Sequence, residues 1–141
     1  VKEHFEKEAQ LRVIAFCIYH NEYITKVKPE YFVTAKYKTI AEYVKQAYES
    51  GKCVDLFLIQ KKFENTIYSL SLQECEELTE LANDSELLFD RYLEEVKSDY
   101  EKMVLTMFVK RLQTDIEEDK YLNSIFKKLG EAFNLKKYIW R

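Results

Sequence analysis

Glycine is almost missing from this chain, with two among 141 residues, Gly51 and Gly130, and there is a single proline, Pro29. A phosphate-cradling loop needs several glycines close together so that backbone N–H groups can approach the anion, which excludes Walker-type and Rossmann-type nucleotide sites. Antiparallel sheets are excluded with them, because hairpin turns and bulges draw repeatedly on Gly or Asn. An all-α domain is what remains. Long apolar runs are also lacking. The longest, Val13 to Tyr19, is far too short for a membrane span and follows no basic leader with a small-residue cleavage site. The three cysteines, Cys17, Cys53 and Cys75, are odd in number and without C-x-x-C spacing, so buried or idle thiols in a reducing cytoplasm are expected and a zinc site is not. The two histidines, His4 and His20, have no Cys or carboxylate at a ligand spacing and read as surface or helix-end residues. No nucleophile motif is present. The chain starts at Val1 rather than Met, which suggests an excised fragment or a processed product.

What is abundant is apolar and charged material, 47% and 33% of residues, with 15% aromatic. That composition is incompatible with disorder. A chain of this length buries roughly 68–70% of its unfolded surface, enough for one structural domain without a disulfide or metal. Net charge is −3, but unevenly spread: Glu74 to Glu101 holds 11 acidic residues against Arg91 and Lys97. The tail inverts this, with Lys127, Lys128, Lys136, Lys137 and Arg141 against Glu131. An acidic body with a basic tip repels a duplex over most of its surface, so direct nucleic-acid binding is not the expected mode. Glu76-Glu77-Glu80 and Glu94-Glu95-Asp99 read as solvated helix faces, since an acid/base pair needs a cleft that nothing here predicts.

Helical spacing organises the chain. Glu8 to Tyr19 places Leu11, Ile14, Ala15 and Ile18 on one stripe, widened by Val13, Phe16 and Cys17, and predicts a helix buried on most sides. Asn21 offers an N-cap for a short turn through Val27, Lys28-Pro29 ends it, and Pro29 to Phe32 is a connector. Thr34 can cap the next helix, with Tyr37, Ile40, Ala41, Val44, Ala47 and Tyr48 inward and Gly51 as its left-handed stop. Asp55 caps Leu56 to Phe63. Ser71-Leu72-Gln73-Glu74 is a capping box, opening a helix with Leu72, Cys75, Leu78, Thr79 and Ala82 on one side. These elements make a head subdomain, residues 1–83. From Ser85 to Ile116 apolar residues continue without Gly or Pro, a helix of about 30 residues or two end to end. Glu117-Glu118-Asp119 suggests a reversal, and Tyr121 to Phe133 a second arm. Residues 84–141 are therefore expected to form a long helix and a C-terminal helical hairpin.

Aromatic residues such as Tyr37 and Tyr48, beside Ile and Val at helical spacing, read as core. The C-terminal segment differs: Leu135, Tyr138, Ile139 and Trp140 alternate with Lys136, Lys137 and Arg141. Two readings stand. They clamp back onto the first arm, or they form an aromatic and basic patch that docks a partner, since Trp, Tyr and Arg dominate binding hot spots. Single-stranded nucleic acid could stack on the same residues.

The segments Lys28-Pro29-Glu30-Tyr31-Phe32, Tyr37-Lys38-Thr39-Ile40, Tyr48-Glu49-Ser50-Gly51, Val54-Asp55-Leu56 and Glu77-Leu78 to Leu81-Ala82 together resemble a fold shared by two bacterial replication proteins. These are the C-terminal helicase-binding domain of primase and the N-terminal domain of the replicative helicase. The resemblance spans nearly the whole chain as a pattern of hydrophobic and turn positions. The helicase domain would carry a glycine in its first helix and a glycine-rich turn before the helix that begins at Leu72. Arg12 to Ala15 and Asn65 to Tyr68 have neither. The ending Asn134-Leu135-Lys136-Lys137-Tyr138-Ile139 is also more similar to that of primase.

What the primase resemblance implies is a domain without catalysis or cofactor of its own. It would belong to a cytoplasmic, DNA-directed RNA polymerase whose zinc and magnesium sit in other domains. Its partner would be the hexameric helicase at the replication fork, with no membrane involved and weak self-association allowed. The docking residues implied are Leu129, Phe133, Leu135, Tyr138, Ile139 and Trp140. Lys136 and Lys137 would steer the tip onto an acidic surface. The helicase domain itself, or a single-stranded nucleic-acid module, are the alternatives.

Overall fold

The computed structural model describes residues 2–82, 86–118 and 127–132, and these are helical and connecting segments without a strand. Packing divides the chain into two compact units, Val1–Lys97 and Ser98–Arg141. The boundary falls inside the long helix, because the side chains that fix its beginning belong to the first unit.

Unit 1 is built around α1, Lys2–Tyr19, which starts earlier than the expected Glu8. From Ala9 to Ile18 every residue of it is buried except half-buried Arg12. α1 ends because His20 leaves the helical region, at φ −136° and ψ 78°. Its last carbonyls then need partners. The His20 N–H donates to the Phe16 carbonyl at 2.8 Å. The Asn21 side-chain amide donates to Cys17 at 2.8 Å and Ile18 at 2.9 Å. Asn21 is buried, and its Oδ1 accepts from the Val54 N–H at 2.7 Å. Asn21 is therefore not the N-cap expected of it. It lies inside a 3-10 segment, Asn21–Lys26, capped at His20, and joins the end of α1 to the start of the third helix.

A second 3-10 turn, Pro29–Tyr31, occupies the expected connector, after Lys28 in the extended conformation that a following proline imposes. α2, Ala35–Glu49, buries Tyr37, Ile40, Ala41 and Val44. Thr34 stands at its N-cap but makes no side-chain cap. The Thr34 N–H instead donates to Oε1 of buried Gln10 on α1, at 3.1 Å. At the other end Gly51 adopts φ +77°, with its N–H on the Tyr48 carbonyl and the Lys52 N–H on Ala47 at 2.8 Å. This is the Schellman arrangement, and an L side chain at Gly51 would be strained. Tyr37 is fully buried, and its hydroxyl has no hydrogen-bond partner among the described residues. Burial pushes that phenol up from its ordinary value, with Glu74 and Glu77 adding to the effect.

α3, Leu56–Phe63, is capped by Asp55, whose carboxylate accepts from the Leu58 N–H at 2.9 Å. α4, Leu72–Leu81, opens on the capping box: Glu74 N–H to Ser71 Oγ at 3.1 Å and Ser71 N–H to Glu74 Oε1 at 3.2 Å. Cys75 and Leu78 face the core, but Leu72 is 75% exposed and Thr79 is exposed. Leu72 misses the core because it is the first residue of the helix. Thr79 bonds the Tyr19 hydroxyl of α1 at 3.1 Å.

α5, Glu86–Glu117, has 32 residues and spans about 48 Å at 1.5 Å per residue. Its first part completes unit 1. Phe89 is buried against Phe16 and Tyr23, with ring centroids 4.9 and 5.2 Å away, and Arg12 lies over Tyr92 at 4.8 Å. Val96 is the last buried residue before the boundary. In unit 2 the described elements are α5 from Ser98 and a helical stretch at 127–132. The rest of the expected second arm, 121–126 and Phe133, lies outside the described residues.

Replacing Asn21 by Ala would leave the Val54 N–H and two helix-end carbonyls without their partner. We expect a loss of about 3 kcal/mol in denaturant unfolding, and a loss below about 1 kcal/mol would contradict the bridging role.

Glu74 generates a pH dependence. Burial opposes its ionisation, but hydrogen bonds from Lys36 Nζ at 2.9 Å and from Ser71, with the Lys36 charge, prevail and hold the carboxyl below its ordinary 4.5. A depressed folded value stabilises above the unfolded one and is lost as pH falls through the folded one. The wild-type advantage in Tm over Glu74→Gln should therefore be full at neutral pH and vanish on acidification below 4.5. A pH-independent difference would contradict this.

Candidate docking surface

Unit 2 carries the feature singled out from sequence, and its described part is a pair of helical segments held by one ion pair. Asp115 of α5 is 3% exposed, and its carboxylate pairs with the ammonium of Lys128. A carboxylate so buried is stable only when paired, so this contact fixes where the stretch 127–132 lies along α5. Val104, Phe108 and Leu112, from three turns to one turn before Asp115, are half-buried and share its side of the helix.

Much of the rest of α5 in this unit is apolar and open, interrupted by Thr106, Lys110 and Gln113. Met107 is 61% exposed and Ile116 54%, and Met103, Leu105 and Val109 are also exposed. Leu105, Val109, the half-buried Leu112 at the margin of the covered side, and Ile116 follow one another at i, i+4, i+7 and i+11, a continuous stripe. Lys110 and Arg111 are exposed beside it. Exposed apolar side chains collected on one helix mark a contact surface more often than scattered ones do.

Of the residues expected to dock a partner, Leu129 is among those described and is exposed, at 38%. Phe133, Leu135, Lys136, Lys137, Tyr138, Ile139 and Trp140 lie outside the described residues. Gly130 is helical and exposed, and a Cβ built there meets nothing within 4 Å. The exposed residues of α5 were read from sequence only as continuing apolar material. The signal that distinguishes them is that apolar residues spread over more than one side of the helix after Lys102, with Thr106, Lys110 and Gln113 on the polar side, which is more than one arm can cover.

Chemistry-bearing groups elsewhere are sparse. Among the described residues no group of three His, Cys, Asp or Glu is placed to hold a metal ion. Burial pushes the Cys17 thiol well up, and Cys75 is raised by burial and then by Glu74. Cys75 also accepts a hydrogen bond from Gln60 Nε2 at 2.9 Å. Both are inert thiols, whereas Cys53 is exposed. His20 is an exposed helix-end residue stacked near Phe16, with centroids 4.8 Å apart. No helix among the described residues is long and apolar enough to cross a membrane.

No protein-family model, curated protein or solved structure matches the chain.

Proposed function

We propose that this chain is the helicase-binding domain of a bacterial DNA primase, docking the primer-synthesising enzyme onto the hexameric replicative helicase and modulating both. The observation that supports the reading is the composition of unit 2: a second helical segment pinned to α5 through Asp115 and Lys128, with Leu105, Val109, Ile116 and Leu129 left exposed. It adds to the pattern of segments that resembles the primase domain. In this reading the domain carries no chemistry, and zinc and magnesium belong to other parts of the parent enzyme. Apolar side chains of α5 and the tail supply contact area, while Lys136 and Lys137 govern association rate and salt dependence.

A second reading, the N-terminal domain of the helicase itself, is favoured by a different detail. Along the stripe Leu105, Val109, Leu112, Ile116, leucine alternates with β-branched residues at heptad spacing, the combination that suits two-stranded helix pairing.

Titrating the domain into its own organism's helicase in a calorimeter should give saturable heat. Deleting residues 135–141 should weaken binding by about tenfold or more, as loss of hot-spot aromatics does, with the helical signal of the head unchanged. Absence of heat and of co-migration at tens of micromolar would sink the primase reading. Unchanged affinity after deletion would sink the role of the tail.

Under the second reading, sedimentation should show dimers that Val109→Lys converts to monomers. A wild-type chain that stays monomeric at high concentration would refute it.

A further inference from the structure

Helix α5 changes its surroundings partway along. Phe89, Tyr92, Leu93 and Val96 recur at i, i+3, i+4 and i+7, the spacing of one helix face. Phe89 and Val96 lie in the apolar core of unit 1, and Tyr92 and Leu93 pack against it. Continued at helical spacing, the same face reaches Tyr100, Met103 and Met107. Tyr100 is half-buried, Met103 is 37% exposed and Met107 61%, and none of the three joins that core.

From Ser98 onward, Asp115 is the one buried residue among those described. Its partner is the ammonium of Lys128. A buried ion pair is a weak substitute for apolar burial, because taking both charges out of water costs about as much as their attraction returns.

Local terms do not make up the difference. α5 has no basic residue in its last turn, and Glu117 and Glu118 stand at its end, where the helix dipole disfavours negative charge. Val104, Thr106, Val109 and Thr114 are β-branched and lower the intrinsic helix preference. Helices in water take most of their stability from a packed face, not from propensity. A helix with its first turns locked in a core and the remainder without apolar cover therefore has two different local stabilities.

We propose that α5 past Val96, together with the stretch 127–132, is an order–disorder element. It opens and closes as its own cooperative unit while unit 1 stays folded, and the Asp115–Lys128 pair is its latch. In the closed state Leu105, Val109 and Ile116 are arrayed along one helix, and in the open state that array is lost. The apparent affinity of anything that docks there is then reduced by the fraction of molecules that are closed. This consequence rests on the reading of unit 2 as a docking surface, whereas the opening itself rests on packing alone.

The test is hydrogen exchange followed by mass spectrometry on the full chain, at a concentration where sedimentation shows monomer. Amides in residues 100–117 should exchange about a hundredfold or more faster than those in 89–96. Their exchange should also depend less steeply on denaturant, because a local opening exposes less surface. Asp115→Asn removes the charge of the latch and should speed exchange in 100–117 by about a further tenfold, with protection in 9–18 and 89–96 unchanged. The proposal is overturned if protection is continuous across residue 97, or if 100–117 shares the denaturant dependence of 9–18. It is also overturned if Asp115→Asn changes exchange in both units equally or in neither. A chain that shows the step at residue 97 but binds no helicase would refute the docking reading and leave the opening equilibrium standing.

Discussion

The head depends on a single buried amide. A helix of 18 residues packed on most sides leaves carbonyls at its end that water cannot reach, and each must find a donor or cost stability. Asn21 resolves this for Cys17 and Ile18, and with its remaining oxygen holds the Val54 N–H. The fixed position of Val54 places Asp55, Asp55 caps α3, and the cap sets which way α3 faces. The outward presentation of Phe57 and Leu58 is thus traceable to an amide three dozen residues earlier in the chain. Gln10 acts in the same manner for the start of α2, through the Thr34 N–H. Two buried side-chain amides, one within α1 and one just after it, therefore fix where the next two helices begin.

The same segment determines where unit 1 stops. The 3-10 turn that contains Asn21 also contains Tyr23, whose ring packs against Phe16 and Phe89 at 4.7 and 5.2 Å. That cluster, with Arg12 over Tyr92 and the Lys26–Asp90 pair at 3.7 Å, holds the first turns of α5. The exposed Lys26–Asp90 pair contributes little, so the aromatic burial dominates. Beyond Val96 no comparable aromatic cluster engages α5 among the described residues, and the unit boundary falls where this cover ends.

Local signals were legible in sequence and distant ones were not. Asp55, the Ser71–Glu74 box and the left-handed Gly51 all act within four residues of themselves, and the structure has each as expected. Asn21 and Thr34 have the right chemistry for N-caps, but Asn21 turns its amide back onto Cys17 and Ile18 and its oxygen to Val54, 33 positions on, and the Thr34 partner lies 24 positions away. A pattern read along the chain cannot contain such partners. Leu72 fails for another reason: helical spacing gives its direction, but its place at the first turn puts it beyond the neighbouring helix. In the candidate site, the continuing apolar material of α5 was visible, yet periodicity alone does not say which side a second arm will cover. The Asp115–Lys128 pair settles that choice, because a buried carboxylate tolerates only one registration.

The scarcity of glycine also takes on a different weight. The absence of a glycine-rich turn before α4 was a reason to prefer primase over the helicase domain. In the structure, Asn65 occupies the left-handed region there, at φ 61°, a conformation that Asn tolerates through its short polar side chain. One left-handed residue of the kind glycine supplies therefore exists without glycine. The composition of that turn consequently separates the two readings less than the residue types suggest, and the discrimination passes to the exposed stripe of α5. A helicase surface and a second copy of this chain would both bury Leu105, Val109 and Ile116. A second copy must match that stripe with itself, residue for residue under two-fold symmetry, whereas a helicase need only present a complementary apolar face.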